Sequence, residues 1–201
     1  MFNLIRRDVI LQKRMLLLLI PFILFFVLMG SHPALIVLAV SIYIPFNAFY
    51  YDEKAETNIL LNSLPYTRKE IIASRYLGAI VYMLLAVGLT CLFLLAFNKS
   101  FSLTEIAIGS GLFLLFAALT FPIFYIFKPG HLTTIVIIIF LAFAIVGQLA
   151  IRSIDELLPA VTDFMQNTSN TVLYTGGAAI IITAYLLSWV ASTAIYLRKD
   201  F

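Results

Sequence analysis

Residues able to do acid–base, nucleophilic or metal chemistry are scarce in this chain, and 8 of its 23 charged ones sit together. Between two hydrophobic stretches lies a polar island, Tyr51 to Tyr76, reading YDEKAETNILLNSLPYTRKEIIASRY. Outside it the chemistry is thin. His32 and His131 fall in turns on opposite sides of the topology set out below, too far apart to share a metal. The lone Cys91 lies inside an apolar run; it can form no intrachain disulfide and reads as a small core residue. No GxxxxGK[ST] run is present to cradle nucleotide phosphates, and there is no HExxH or Ser–His–Asp pattern. Gly109-Ser110-Gly111 falls within a helical stretch, where close packing explains it better than a ligand. The expectation is a chain with no catalytic residues, no cofactor-binding residues and no metal site, driven by something other than itself.

The rest of the chain is built for lipid. Of 201 residues 63% are hydrophobic and 11% charged, with a mean hydropathy of +1.06; a soluble domain carries about 25% charged residues. Uncharged runs of spanning length, roughly 17–25 residues, cover Met15–Ser31, Pro33–Tyr51, Tyr76–Asn98, Ile106–Phe127 and Leu132–Ile151. A sixth, Phe164–Leu197, is too long for one span, so its helix is expected to start near Val172. Gly30-Ser31-His32-Pro33 and Lys128-Pro129-Gly130-His131 read as tight turns. The fold class is therefore all-α, a single transmembrane domain over 1–201 with six transmembrane helices. Eleven of the 13 Lys and Arg fall on the side of the termini and the island, leaving Lys99 and Arg152 opposite. That bias puts both termini and the island in the cytoplasm. No Asp, Glu, Lys or Arg lies within a span, which argues against an ion-coupled carrier.

Two flanking segments read as amphipathic. In residues 1–14, Arg6, Arg7, Lys13 and Arg14 cluster on one side and Phe2, Ile5 and Val9 on the other, as in an N-terminal interfacial helix lying on the bilayer. The alternative is a plain extension of the first span. This opening is read as retained rather than as a cleaved leader. On the outer side, residues 152–171 place Ile154, Leu157, Leu158 and Val161 at helical spacing with a break at Pro159, as in one or two short external helices between the fifth and sixth spans. Polar side chains within the spans, Asn47, Gln148, Ser188 and Ser192 among them, read as interhelical hydrogen-bonding groups or as the lining of a translocation path. Ser188-Trp189-Val190-Ala191-Ser192 is also a small-xxx-small stripe suited to close helix contact.

The island itself reads as a stiff elbow. Asp52, Glu53 and Glu56 suit the start of a short helix whose apolar side is Ile59, Leu60, Leu61 and Leu64. Pro65 ends that helix, because the residue before a proline avoids the α region. Thr67-Arg68-Lys69-Glu70 then spells a capping box, followed at once by Ile71-Ile72 and the third span. A segment of this form, 52–75, is joined rigidly to the membrane and can transmit a push.

Asp52-Glu53, Ser63-Leu64-Pro65, Thr67-Arg68, Ile71-Ile72 and Arg75-Tyr76 together resemble the ABC-2 type permease family, in particular its short bacterial members. The N-terminal helix, the six spans and the external helices are similar to that family across nearly the whole chain. The resemblance implies a multi-pass protein of the bacterial cytoplasmic membrane that works as a dimer, identical or mixed, with a cytosolic ATP-binding cassette ATPase. ATP and magnesium would reside on that partner. The island would be the coupling helix between helices two and three, docking the ATPase through Asp52, Glu53, Glu56, Asn58, Ile59, Leu60, Leu61, Leu64 and Pro65, with Arg68 and Lys69 at the rim. The function implied is export of amphipathic or hydrophobic cargo such as peptides, drugs or lipids. The competing readings are a non-transporting sensory or assembly subunit holding a cytosolic partner through the same elbow, and a facilitative channel or carrier. No feature points to nucleic acid.

Overall fold

The computed structural model describes residues 13–54, 67–126, 138, 141 and 169–198. All regular structure among them is helical, in five elements. These are α1 (Lys13–Leu28), α2 (Pro33–Lys54), α3 (Arg68–Ala96), α4 (Leu103–Ile126) and α5 (Asn170–Leu197). Among the described residues three helices are long and apolar enough to cross a membrane, over Arg68–Ala96, Leu103–Ile126 and Thr171–Leu197. Leu17–Leu28 and Pro33–Tyr43 are shorter apolar stretches. The interfacial helix expected before Lys13, the fifth predicted span apart from Ile138 and Leu141, and the external segment 152–168 lie outside the described residues.

Local chemistry sets the helix ends. After α1, Gly30 takes φ +69°, a left-handed conformation that costs glycine nothing. Its N–H bonds Val27 O at 3.2 Å, and the Ser31 N–H bonds Phe26 O at 3.1 Å, so two end carbonyls are satisfied. His32 then caps α2, its Nδ1 accepting from the Ala34 N–H at 3.3 Å, and Pro33 occupies the first helical position, where a missing N–H is harmless. Asn98, at φ 50°, plays the part of Gly30 after α3. Ser102 opens α4: its N–H bonds Glu105 Oε2 at 2.8 Å and its hydroxyl accepts from the Glu105 N–H at 3.2 Å. This second capping box went unread in the sequence, although Ser102-x-x-Glu105 has the same spacing as Thr67-x-x-Glu70.

One boundary differs from expectation. Asp52 and Glu53 do not begin a separate helix; they lie in the last turn of α2, which runs unbroken to Lys54. No Gly or Pro follows Pro45 to interrupt it before Lys54, and its acidic residues sit at the end of the helix that the macrodipole makes unfavourable for them.

The interior divides in two. One cluster joins α3, α4 and α5 through Ile72, Tyr76, Phe113, Phe121, Tyr185 and Tyr196. The other joins α1, α2 and α3 through Leu19, Ile23, Ile36, Val40, Tyr82 and Leu94. Gly109 lets α4 approach α2 closely: a Cβ there would stand 2.6 Å from Ala34 O and 2.9 Å from Val37 Cβ. With lipid outside, such close approach and interhelical hydrogen bonds, rather than the hydrophobic effect, hold the helices together. Accordingly, Leu17, Phe25, Leu84, Leu92, Ile180 and Val190 lie exposed on the outer faces.

Candidate functional site

The start of α3, where the segment 52–66 rejoins the bundle, is fixed at three levels. The first is local. Thr67 stands in extended backbone (φ −73°, ψ 148°) as the cap of α3. Its N–H and its hydroxyl both donate to Glu70 Oε2 at 2.9 Å, and the Glu70 N–H donates back to Thr67 Oγ1 at 3.3 Å. The sequence spacing thus forms a complete capping box, and α3 runs from it without a break through Ala96.

The second tie reaches another helix. Arg68 Nη1 donates to Leu197 O at 3.1 Å. That carbonyl belongs to the last turn of α5, where helices leave acceptors unused and cations are favoured. Arg68, expected at the rim of a docking surface, is placed on the end of α5; Lys69 beside it is exposed.

The third tie is a buried polar cluster two turns farther along α3. Tyr76 is fully buried, and its hydroxyl lies 2.7 Å from both Ser188 Oγ and Ser192 Oγ. Ser188 donates onward to Ala118 O of α4 at 2.6 Å. Tyr185 Oη donates to the Tyr76 carbonyl at 2.9 Å. The Tyr76 ring stacks on Trp189 at 5.6 Å between centroids and meets Phe121 and Tyr185 edge-on at 5.0 and 5.1 Å. Every hydroxyl in this cluster has a partner, which is the condition under which a buried polar network rigidifies rather than destabilises. Tyr76 was part of a sequence motif but carried no predicted role; its partners are far away in the chain, and only the Ser188–Ser192 spacing hinted that one face of α5 holds two hydroxyls together.

The remaining predicted site residues are dispersed. Ser188 and Ser192 face α3 and α4 inside the bundle. Asn47 returns its amide to its own helix, Nδ2 donating to Tyr43 O at 2.7 Å. Asp52 and Glu53 end α2. Glu56, Asn58, Ile59, Leu60, Leu61, Leu64, Pro65 and Gln148 lie outside the described residues. On the opposite side of the bundle His32 Nε2 stands 3.1 Å from Glu105 Oε1, linking the α1–α2 turn to the start of α4. Because Nδ1 of this ring accepts from Ala34, the geometry places the proton on Nε2, pointing at the carboxylate. Among the described residues no three His, Cys, Asp or Glu side chains come together. The arrangement is mechanical in kind: a capped rod, tied at two heights to α5 and through Ser188 to α4.

A family model described as "ABC-2 family transporter protein" matches residues 3–197 of the chain. No curated protein and no solved structure matches it.

Proposed function

The chain belongs to the ABC-2 transporter family, and from that premise we propose that it is the membrane subunit of an ATP-driven exporter. Permeases of this type typically work with an ATP-binding cassette ATPase. In this reading that ATPase seats on residues 52–65, ATP and magnesium stay on the partner, and its closure pushes the elbow. The observation that carries the reading is the construction of α3 at the point where the elbow meets it. A loop that merely supplied positive charge to the cytoplasm would need neither a capping box nor cross-ties to α5. A lever needs both, because an uncapped first turn frays and would absorb the movement.

Chain direction supports six spans. Gly111 lies against Ile181, Ser188 bonds Ala118, and Tyr125 packs on Tyr196 at 5.5 Å. Contacts that advance together along both helices mean that α4 and α5 run parallel. Both therefore cross in the same direction, a pattern that one return crossing between Ile126 and Ser169 accounts for. The predicted span Leu132–Ile151 supplies that return, leaving both termini on the elbow's side. By the charge bias that side is the cytoplasm of a bacterial inner membrane.

The cargo proposed is amphipathic or hydrophobic, a peptide, drug or lipid, moved outward by two permease protomers and two ATPases. The decisive experiment replaces Asn58–Leu64 with a Gly/Ser stretch of equal length and measures capture of the cognate ATPase by the purified permease. Capture is expected to be lost while the permease stays folded. Retention of normal affinity would remove the elbow as the docking site.

A further inference from the structure

Two patterns of hydroxyl bonding recur among the described helices. Ser74, Ser110, Thr120, Thr175, Thr183 and Thr193 each return the hydroxyl to a carbonyl of the preceding turn, at 2.7–2.9 Å. That is the ordinary resting place of a helical serine or threonine with nothing else to bond. Tyr76, Tyr185, Ser188 and Ser192 bond one another and the backbone. Ser41 and Thr90 do neither. Both are completely buried, at 0% exposure, and neither hydroxyl oxygen has a partner among the described residues. A buried hydroxyl without a partner is unfavourable, and it is most easily tolerated where another state of the protein supplies the missing partner.

Their positions define a boundary. Ser41 lies on α2 one turn beyond Val37, on the row that meets α4 at Gly109. Thr90 lies on α3 between Ala86 and Leu94, one turn from each, on the face packed against α1 and α2. Each therefore sits where the α1–α2 hairpin touches the remaining helices. The fully bonded hydroxyls lie inside the α3–α4–α5 group. At Gly109 the two groups meet through backbone and small side chains, Ala34 and Val37; elsewhere on the boundary Leu38 and Ile42 of α2 pack against the block, and His32 Nε2 stands 3.1 Å from Glu105 Oε1.

We propose that the boundary between the α1–α2 hairpin and the α3–α4–α5 block parts during the transport cycle. Ser41 and Thr90 then supply its hydrogen-bonding groups, to water and to the polar side of an amphipathic cargo. The proposal rests on the exporter reading above and adds to it a moving surface inside one protomer. The elbow joins the two sides of this boundary directly, α2 ending at Lys54 and α3 starting at Arg68, so a load on it acts across the seam.

The test places a single cysteine at Ser41, Thr90 or Thr120 in a Cys91→Ala background. The permease is reconstituted with its ATPase in phosphatidylethanolamine–phosphatidylglycerol vesicles. Modification by a charged methanethiosulfonate reagent present on both sides is then timed with and without ATP. Thr120, 1% exposed and bonded to its own helix, is the buried control. Positions 41 and 90 are expected to react at least tenfold faster during ATP turnover than at rest, with position 120 unchanged. If 41 and 90 react no faster than 120 while ATP is being hydrolysed, the seam does not open and the proposal is overturned. If the ATPase fails to bind at all, the docking reading falls instead. The seam is then judged on the permease alone, where reactivity at 41 and 90 tenfold above 120 sustains it and equal reactivity ends it.

Discussion

Removing a single oxygen atom, in Tyr76→Phe, separates the polar tie at the base of α3 from the aromatic packing around it. The phenyl ring keeps its contacts with Phe121, Tyr185 and Trp189, and the Tyr185 bond to the Tyr76 carbonyl is a backbone contact that survives. What is lost are the two 2.7 Å bonds to Ser188 and Ser192. Ser188 retains Ala118 O as a partner, whereas Ser192, at 0% exposure, is left to find a carbonyl of its own helix. Interhelical hydrogen bonds inside membranes are worth about 0.6 kcal/mol on average and at most about 1.7. Two of them give a loss of about 1–2 kcal/mol, or a fall of about 2–8 °C in melting temperature for a chain of this size. The assay is thermal unfolding of the purified permease, combined with Ser192→Ala in a double-mutant cycle. Because both changes break the same bond, their effects should overlap by about 1 kcal/mol instead of adding. A Tyr76→Phe protein that melts with the wild type, or a double variant whose losses simply add, would show that these hydroxyls do not hold α3 to α5. In coupled vesicles the same variant should hydrolyse ATP but export less cargo per ATP, since the tie slackens without the docking surface changing.

Two other substitutions probe the parts on either side of that tie. Thr67→Ala removes the side-chain half of the capping box and should cost about 1 kcal/mol, read as faster amide exchange in the first turn of α3 and a small drop in melting temperature, with Thr67→Ser restoring both. Gly109→Val forces a branched side chain where even a Cβ would lie 2.6 Å from Ala34 O; overpacking of this kind costs about 1–3 kcal/mol, and the melting temperature should fall clearly further for Val than for Ala.

What the sequence made legible was whatever its neighbours along the chain could decide. Thr67 and Glu70 are three residues apart, and their reciprocal bonds follow from helix geometry alone. Gly30 and Pro33 likewise announce a turn that needs no tertiary information. Asp52 and Glu53 misled for a related reason. Acidic residues favour a helix start, but that preference is a few tenths of a kcal/mol to about 1. It does not stop a helix that is already propagating and meets no breaker. Tyr76 was opaque because its partners are supplied by the packing of α3 on α5, and a tyrosine at a span boundary looks the same in a sequence whether it faces headgroups or two serines. Ser188 and Ser192 were visible as small residues fit for close contact; that they also accept and donate in one cluster depends on which residue stands opposite. Ser41 and Thr90 could not be told from Ser74 or Thr120 at all, since the distinction is whether a rotamer returns to its own helix.

The spacing of the ties decides where a load on the elbow can go. Arg68 holds the end of α5, and Tyr76 holds the same helix about 12 Å farther along. One attachment would leave α3 free to pivot on α5; two at different heights resist both tilting and sliding. The Ser188 bond to Ala118 carries the restraint on to α4. A push on the elbow therefore cannot be relaxed by moving α3 alone, because α3, α4 and α5 resist as one body. Its other attachment is α2, whose cluster with α1 and α3 is apolar apart from hydroxyl-bearing Tyr43, Tyr82 and the unpartnered Thr90. The directional contact described across that boundary, His32 to Glu105, lies at the end of α2 away from the elbow; much of the rest, Leu38 and Ile42 against the block included, is apolar packing whose exchange for acyl chains in lipid is nearly neutral. The relative motion with least resistance is thus that of the α1–α2 hairpin against the block, which is the motion that would bring Ser41 and Thr90 to water.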